Sequence, residues 1–251
     1  MASADPNLQP CGPPRHGLTD MAHNVAVSVS HAAHEACVAP EPRWPAALAV
    51  LAVGGLYTAV PRSLGIGFGP RWLLLAIMLV VLVPTVLSFH MGHHRLNHFC
   101  GFFALGIVTT AEILSLAFLI HLLPTHKESP GTLLRSAAAL WLTNVLVFAL
   151  WYWRLDGGGP HQRDLVPGHE HGAFLFPQMT MDEETKIATG NRFWSPQFTD
   201  YLFLAFNHST ALSPTDTAVL SRWAKVLTMI QSSVSLITVA LLAARAVNIL
   251  Q

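Results

Sequence analysis

Five long apolar segments constrain the fold of this chain more strongly than any other feature of its sequence. They lie at about 44–60, 72–89, 102–123, 136–153 and 220–250. Each is long enough to cross a bilayer as a helix, which needs about 17 to 25 mostly apolar residues. Short connectors rich in proline and glycine separate the first four segments. The pattern predicts an all-α, polytopic integral membrane protein with about five transmembrane helices.

The composition excludes an ordinary soluble domain. Of the 251 residues, 52% are hydrophobic and only 11% are charged, whereas soluble domains carry about 25% charged residues. The formal charge is balanced at pH 7, so the composition does not point to a nucleic-acid partner. The three cysteines, Cys11, Cys37 and Cys100, indicate neither a disulfide framework nor a paired-cysteine zinc site. The expected surroundings are a lipid bilayer.

Four regions follow one another along the chain. A polar N-terminal tail, residues 1–43, lacks the basic start and apolar stretch of a signal peptide. A four-helix transmembrane region at 44–153 is followed by a polar loop at 154–199 and a C-terminal region at 200–251. Lysine and arginine show almost no bias between the two sides near the membrane, so the charge rule leaves the orientation open.

The C-terminal region contains an apolar segment that is too short to span. Residues 201–210 are predominantly apolar, residues 213–216 read Ser-Pro-Thr-Asp, and the last spanning segment follows. Because non-helical backbone is tolerated at membrane depth only beside protein or water, this order predicts a short re-entrant helix. It also points to a pathway for a polar species.

This region resembles the pore loop and inner helix of two-helix-per-pore cation channels. In that resemblance Thr210 stands at the filter entry, Asp216 takes the place of the acidic residue after the filter, and 220–245 corresponds to the inner helix. The two filter glycines of a potassium channel are replaced by Ser213 and Thr215, with Pro214 at the aromatic position. Stacked carbonyl rings need the backbone freedom of glycine. The resemblance therefore implies a homo-oligomeric, weakly selective pathway for monovalent cations.

Over its whole length the chain also resembles a family of bacterial multi-pass membrane proteins of unassigned function. The shared feature is the ending SPTDT…LSR.AK. This resemblance implies insertion in the inner (cell) membrane of a bacterium. The alternative interpretation of 213–217 is a capped turn between two helices of a protein that conducts nothing.

A polar stripe runs along the last spanning segment. Its members recur at helical spacing among leucine, valine, isoleucine and alanine: Thr228, Gln231, Ser232, Ser235 and Thr238. Such a stripe either lines a wet cavity or forms hydrogen bonds with neighbouring helices. In the channel interpretation it lines the inner cavity.

Glu112 is an acidic residue near the middle of the third segment. Thr109 and Ser115 lie one turn before and after it. Because a carboxylate at the bilayer centre is unfavourable by at least ~2.5 kcal/mol, Glu112 should face the protein interior. Its expected partners are Asn144 and Thr143 on the fourth segment or Gln231 on the last. The side chain would serve either in ion coordination and proton relay or as a protonated contact between helices.

Histidine is unusually frequent, with 14 residues. His90, His94 and His98 recur every four residues, and His93 completes an HxxHH pattern. Imidazoles at this spacing can bind zinc, iron or copper. The pattern resembles one histidine box of membrane-bound hydroxylases and desaturases, which gives a metalloenzyme as one alternative function. A non-conducting membrane scaffold or sensor is another. The favoured interpretation is a channel without catalytic residues or cofactor.

Overall fold

The computed structural model describes residues 41–61, 72–91, 94–122, 129–165, 172–192, 194–210 and 216–249. Several predictions concern residues outside these ranges, namely the tail up to residue 40, His93, Ser213 and Thr215. His90 and His94 lie within helices, but their side chains are also outside the described set.

The described residues are mostly helical. Two 3₁₀ turns, Asp156–Gly158 and Pro177–Met179, lie between the regular elements. The helices and strands are, in chain order, α1 (Trp44–Ala59), α2 (Leu73–His90), α3 (His94–Leu122), α4 (Pro130–Leu155), α5 (Pro160–Leu165), β1 (Phe174–Leu175), α6 (Glu183–Ala188), α7 (Phe198–Thr210), β2 (Ala218–Val219) and α8 (Arg222–Ile249).

Three helices are long and apolar enough to cross a membrane. Their apolar spans are Arg95–His121, Gly131–Gly158 and Arg222–Ala244. Shorter apolar helices lie at Trp44–Thr58 and Leu73–Thr85. The prediction of a helical protein compatible with membrane insertion is confirmed at this level.

Two helices begin earlier than hydropathy predicts. Helix α3 begins at His94 instead of about residue 102, and α4 begins at Pro130 instead of about residue 136. Ser129 explains the start of α4, because its hydroxyl accepts a hydrogen bond from the backbone N–H of Thr132 and a proline follows it. Hydropathy reports the apolar part of a helix and misses such polar first turns.

Helix α4 forms the centre of the bundle. It packs against α1, α3, α7 and α8, and Val147, Ala149 and Tyr152 on it are fully buried. Helix α8 is different, because one of its faces is exposed and carries large apolar side chains such as Met229 and Leu236. In a membrane protein such a face suits lipid or another subunit.

The end of α4 connects to the start of α7 through one buried carboxylate. Asp156 is fully buried, and its two oxygens accept hydrogen bonds from the Tyr201 hydroxyl at 2.7 Å and from the backbone N–H of Ala173. Gly157, Gly158 and Gly159 all have positive φ, which allows the chain to reverse directly after Asp156. The start of α7 is therefore fixed at the C-terminal end of α4.

A small sheet lies at the same end of the bundle. β1 and β2 pair antiparallel, with Phe174 opposite Val219, and the backbone N–H of Leu220 donates to the carbonyl of Ala173 at 2.8 Å. Because Ala173 also binds Asp156, the segment that precedes α8 is attached close to the start of α7. These two strands are the only regular elements in the described ranges that depart from an all-helical fold.

Candidate functional site

The candidate site is the last turn of α7 together with the middle of α8. Backbone carbonyls at the C-terminal end of a helix have no partner within the helix itself. Here Ser232 donates to the carbonyl of His208 at 3.1 Å, and Ser235 donates to that of Ser209 at 2.8 Å. Side chains of α8 thus satisfy two of the terminal carbonyls of α7.

These contacts lie far along α8. Ser232 and Ser235 are ten and thirteen positions beyond Arg222, the first residue of the helix, which corresponds to about 15 to 20 Å along its axis. That is the middle of the apolar span Arg222–Ala244. Helix α7 therefore ends level with the centre of a helix that is long enough to cross a membrane.

Contacts with helix α4 independently place the last turns of α7 at the middle of the bundle. The indole N–H of Trp141 donates to the hydroxyl of Ser235 at 2.9 Å, and the ring of Trp141 packs against Phe206 of α7. Asn144 donates to the backbone carbonyl of Gln231 at 3.2 Å. Trp141 and Asn144 both lie near the middle of the span Gly131–Gly158.

Gln231 connects the three helices. Its side chain is fully buried, and its amide nitrogen donates to the carbonyl of Ala205 at 2.7 Å and to the hydroxyl of Ser209 at 2.9 Å. Its amide oxygen accepts a hydrogen bond from the hydroxyl of Tyr152 on α4. Each polar atom of the Gln231 side chain therefore has a partner on α4 or α7.

The two remaining members of the predicted stripe bind their own helix. Thr228 donates to the carbonyl of Lys225 at 2.9 Å, and Thr238 donates to that of Val234 at 2.8 Å. Both side chains are buried within the single chain. The stripe thus lies at a contact between helices, where its three central members bind α7.

The residues that flank the 211–215 segment are exposed. Thr210 donates to the carbonyl of Phe206 at 3.0 Å and leaves its side chain accessible. Asp216 is exposed at the start of the segment that leads into β2. His208 lies one turn inside α7, where its Nδ1 is 2.8 Å from the carbonyl oxygen of Leu204.

Glu112 is buried, with 1% of its surface exposed, but the predicted pair with Asn144 is not formed. Asn144 is directed towards α8, where it binds the carbonyl of Gln231. Within the described ranges, Oε1 of Glu112 has no hydrogen-bond partner, and neither has Oδ1 of Asn144. Tyr57 of α1 lies within electrostatic reach of Glu112 and shares a 2.7 Å hydrogen bond with Ser115.

The predicted metal ligands are only partly described. His98 is exposed, and its ring packs edge-on against Phe102 at a centroid distance of 4.6 Å. Across the ranges that the structure describes, no group of three or more His, Cys, Asp or Glu side chains could hold a metal ion. The metal site proposed from the histidine spacing stays a prediction.

Sequence reasoning missed a buried ion pair at the Asp156 end of the bundle. Glu41 and Arg163 form a salt bridge at 2.9 Å, and both side chains are 4% exposed. Glu41 also accepts a hydrogen bond from the indole of Trp153. Burial raises the pKa of Glu41 above its ordinary value, although the positive charge of Arg163 opposes this shift. The sequence signal at this end is Asp156 directly before three glycines and a proline.

No protein-family model, curated protein or solved structure matches this chain. The functional argument therefore depends on the residues and geometry of the chain itself.

Proposed function

We propose that this chain is an integral membrane protein with five crossings and a re-entrant helix, α7, which forms a channel-like, weakly selective cation pathway between copies of the chain. The observation that carries the proposal is the position of the last turn of α7. It is held by Ser232 and Ser235 at the middle of α8. A helix that ends at this depth brings backbone carbonyls to the centre of a bilayer.

The re-entrant path is supported by where the chain enters and leaves. Tyr201, near the start of α7, binds Asp156 at the end of α4. The segment after α7 returns to the same end, because Leu220 binds Ala173 beside Asp156. A spanning α7 would place these two attachments at opposite ends of the bundle.

The five crossings are supported by contacts at that same end. Glu41, just before α1, binds Trp153 near the end of α4. Asn97, in the first turn of α3, accepts a hydrogen bond from Arg154 at 3.4 Å, and its amide donates to the carbonyl of Thr85 near the end of α2. Six helix ends therefore meet at this end of the bundle, as alternating crossings require. They are the starts of α1, α3, α7 and α8 and the ends of α2 and α4.

Cation preference follows from the groups at the end of α7. The C-terminal end of a helix carries a partial negative charge, and in transporters such ends coordinate cations within the membrane. The hydroxyl of Thr210 and the carboxylate of Asp216 are both exposed on either side of the 211–215 segment. Because four of the five residues of the polar stripe are buried within one chain, the pathway would form where these exposed groups of several copies meet.

Planar-bilayer recordings with the purified, reconstituted protein test this proposal. We expect cation conductance with little discrimination between potassium and sodium, because Ser213 and Thr215 stand in place of the filter glycines. Asp216→Asn should shift the reversal potential towards lower cation preference, since an acidic ring raises the local cation concentration. The matched control is Glu184→Gln, which removes the same charge from an exposed position in the polar loop.

Three results would count against the proposal. Strict potassium selectivity would show that the glycine argument is wrong. Equal effects of Asp216→Asn and Glu184→Gln would remove Asp216 from the pathway. The absence of conductance at every voltage and pH would overturn the channel function and favour the non-conducting turn.

A further inference from the structure

A cavity of about 590 Å³ lies between the first four helices, away from α7 and α8. This volume falls within the range of small-molecule sites, about 300 to 1,000 Å³. One end of the cavity is polar and is lined by Glu41, Arg43, Asn97 and Arg154. The rest is lined almost entirely by apolar side chains.

Not every charged side chain at the polar end has a partner of opposite charge. Glu41 pairs with Arg163, and Arg43 pairs with Asp164. Within the described part of the chain, no carboxylate pairs with the third arginine, Arg154. Arg154 is therefore the one charged side chain of this lining without a carboxylate partner in the described ranges. It is partly buried, and a charge removed from water is stable only when it is paired or solvated.

Arg154 is positioned as a binding group. Its guanidinium donates a long hydrogen bond of 3.4 Å to the carbonyl of Asn97 and lies 5.8 Å from the centre of the Trp153 ring. It crosses the face of α3 at Gly101, where a β-carbon would be 1.8 Å from the central guanidinium carbon. Glycine at position 101 leaves room for the guanidinium where it lies, and a larger residue there would displace it.

The apolar part of the cavity has the depth of one lipid leaflet. Along α1 the lining extends from Arg43 to Val53, and along α3 from Asn97 to Val108. Ten or eleven helical residues correspond to about 15 to 17 Å, which is half of the ~30 Å hydrocarbon core. Met78 of α2 completes the deep end, where Val53, Met78 and Val108 are all buried.

We propose that this cavity binds one amphiphile with an anionic head group and an acyl chain. The head group pairs with Arg154, whose planar guanidinium matches a carboxylate or a phosphate with two parallel hydrogen bonds. The acyl chain lies between α1, α2 and α3 and ends beside Val53 and Met78. Both an anionic phospholipid of the bilayer and a free fatty acid have this chemistry.

Native mass spectrometry of the full-length protein tests the proposal and separates the two sources. Protein freed of lipid would be titrated with palmitate, with phosphatidylglycerol and with hexadecanol, an uncharged amphiphile of the same chain length as palmitate. We expect one bound molecule of palmitate or of phosphatidylglycerol, at least about tenfold more tightly than hexadecanol, because a charge-assisted hydrogen bond is lost with the neutral head group. Preference between the two anionic probes identifies the source.

Two arginine variants of the same helix locate the site. Arg154→Gln should weaken binding of the anionic probe at least about tenfold and leave hexadecanol binding unchanged. Arg135→Gln is the matched control, because Arg135 is exposed near the other end of α4 and binds the carbonyl of Gly131. Gly101→Val should act like Arg154→Gln, since it displaces the guanidinium.

Several outcomes would overturn the proposal. One is the absence of any one-to-one complex with either anionic probe. Another is equal affinity for palmitate and hexadecanol, which needs only the unaltered protein and so decides the matter even if a variant fails to fold. A third is an equal effect of Arg154→Gln and Arg135→Gln.

Discussion

Replacing Gln231 by leucine should weaken the attachment of α7 to α8. The substitution introduces an apolar side chain of similar volume and removes the hydrogen bonds to Tyr152, Ala205 and Ser209. Side-chain hydrogen bonds between helices in a membrane average about 0.6 kcal/mol, so three amount to about 2 kcal/mol. The hydroxyl of Tyr152 is left buried without its acceptor, which costs about 1 kcal/mol or more. We expect a total loss of about 2 to 4 kcal/mol in the free energy of unfolding.

Unfolding in mixed micelles by titration with SDS measures this loss of stability. Hydrogen exchange shows which part of the chain is destabilised. The amides of 204–210 should exchange faster in Gln231→Leu, because Ala205 and Ser209 lose their contacts with the Gln231 side chain. Ser233→Ala is the matched control: Ser233 lies on the exposed face of α8 and binds only the carbonyl of Met229 among the described residues. Its effect should stay within about 0.5 kcal/mol.

A double-mutant cycle with Tyr152→Phe isolates the buried hydroxyl. Because Tyr152→Phe removes the group that Gln231→Leu leaves unpaired, the two losses should be less than additive by about 0.5 kcal/mol or more. Equal stability and equal exchange in Gln231→Leu and Ser233→Ala would refute the view that Gln231 holds α7 in place.

Substitutions at three further residues test other parts of the structure. Glu41→Ala should destabilise the protein by about 3 kcal/mol because it leaves Arg163 buried and unpaired. Burial raises the pKa of Glu41 above its ordinary value of 4.5, so the folded state binds the proton more tightly than the unfolded state. The free energy of unfolding should therefore fall as pH rises from about 4.5 through the raised pKa. A pH series of unfolding measurements should show that this slope disappears in Glu41→Gln. Glu112→Met should not lower stability in the same SDS titration, because Oε1 of Glu112 has no hydrogen-bond partner among the described residues. Tyr57→Phe should lower stability by about 1 kcal/mol, because it loses the hydrogen bond to Ser115. A greater loss of stability in Glu112→Met than in Tyr57→Phe would show that the Glu112 carboxyl has a partner.

The sequence predicts the apolar helices well because hydropathy depends on composition alone. It also predicts which residues of α8 share a face, since Gln231, Ser235 and Thr238 are buried together at helical spacing. What that face contacts is a different question. The same spacing suits a wet cavity or a neighbouring helix, and only the tertiary structure brings α7 against it.

Long-range polar contacts were beyond sequence reasoning. Asp156 binds Tyr201, which is 45 residues away, and Glu41 binds Arg163 at a separation of 122 residues. No local pattern marks these partners, because each is an ordinary charged or aromatic residue. Asn144 shows the same limit: its place in the middle of α4 was evident, but it faces α8 and not Glu112.

Side-specific cysteine labelling tests the proposed re-entrant position of α7 most directly. In a background without Cys11, Cys37 and Cys100, single cysteines would replace Thr199, Thr210 and Asp216, all of which are exposed in the single chain. We predict that a membrane-impermeant maleimide labels positions 199 and 216 from the same side of sealed vesicles. A spin label at position 210 should report either mid-bilayer depth or contact with a water-filled path. Labelling of 199 and 216 from opposite sides would contradict the account, because α7 would then cross the membrane.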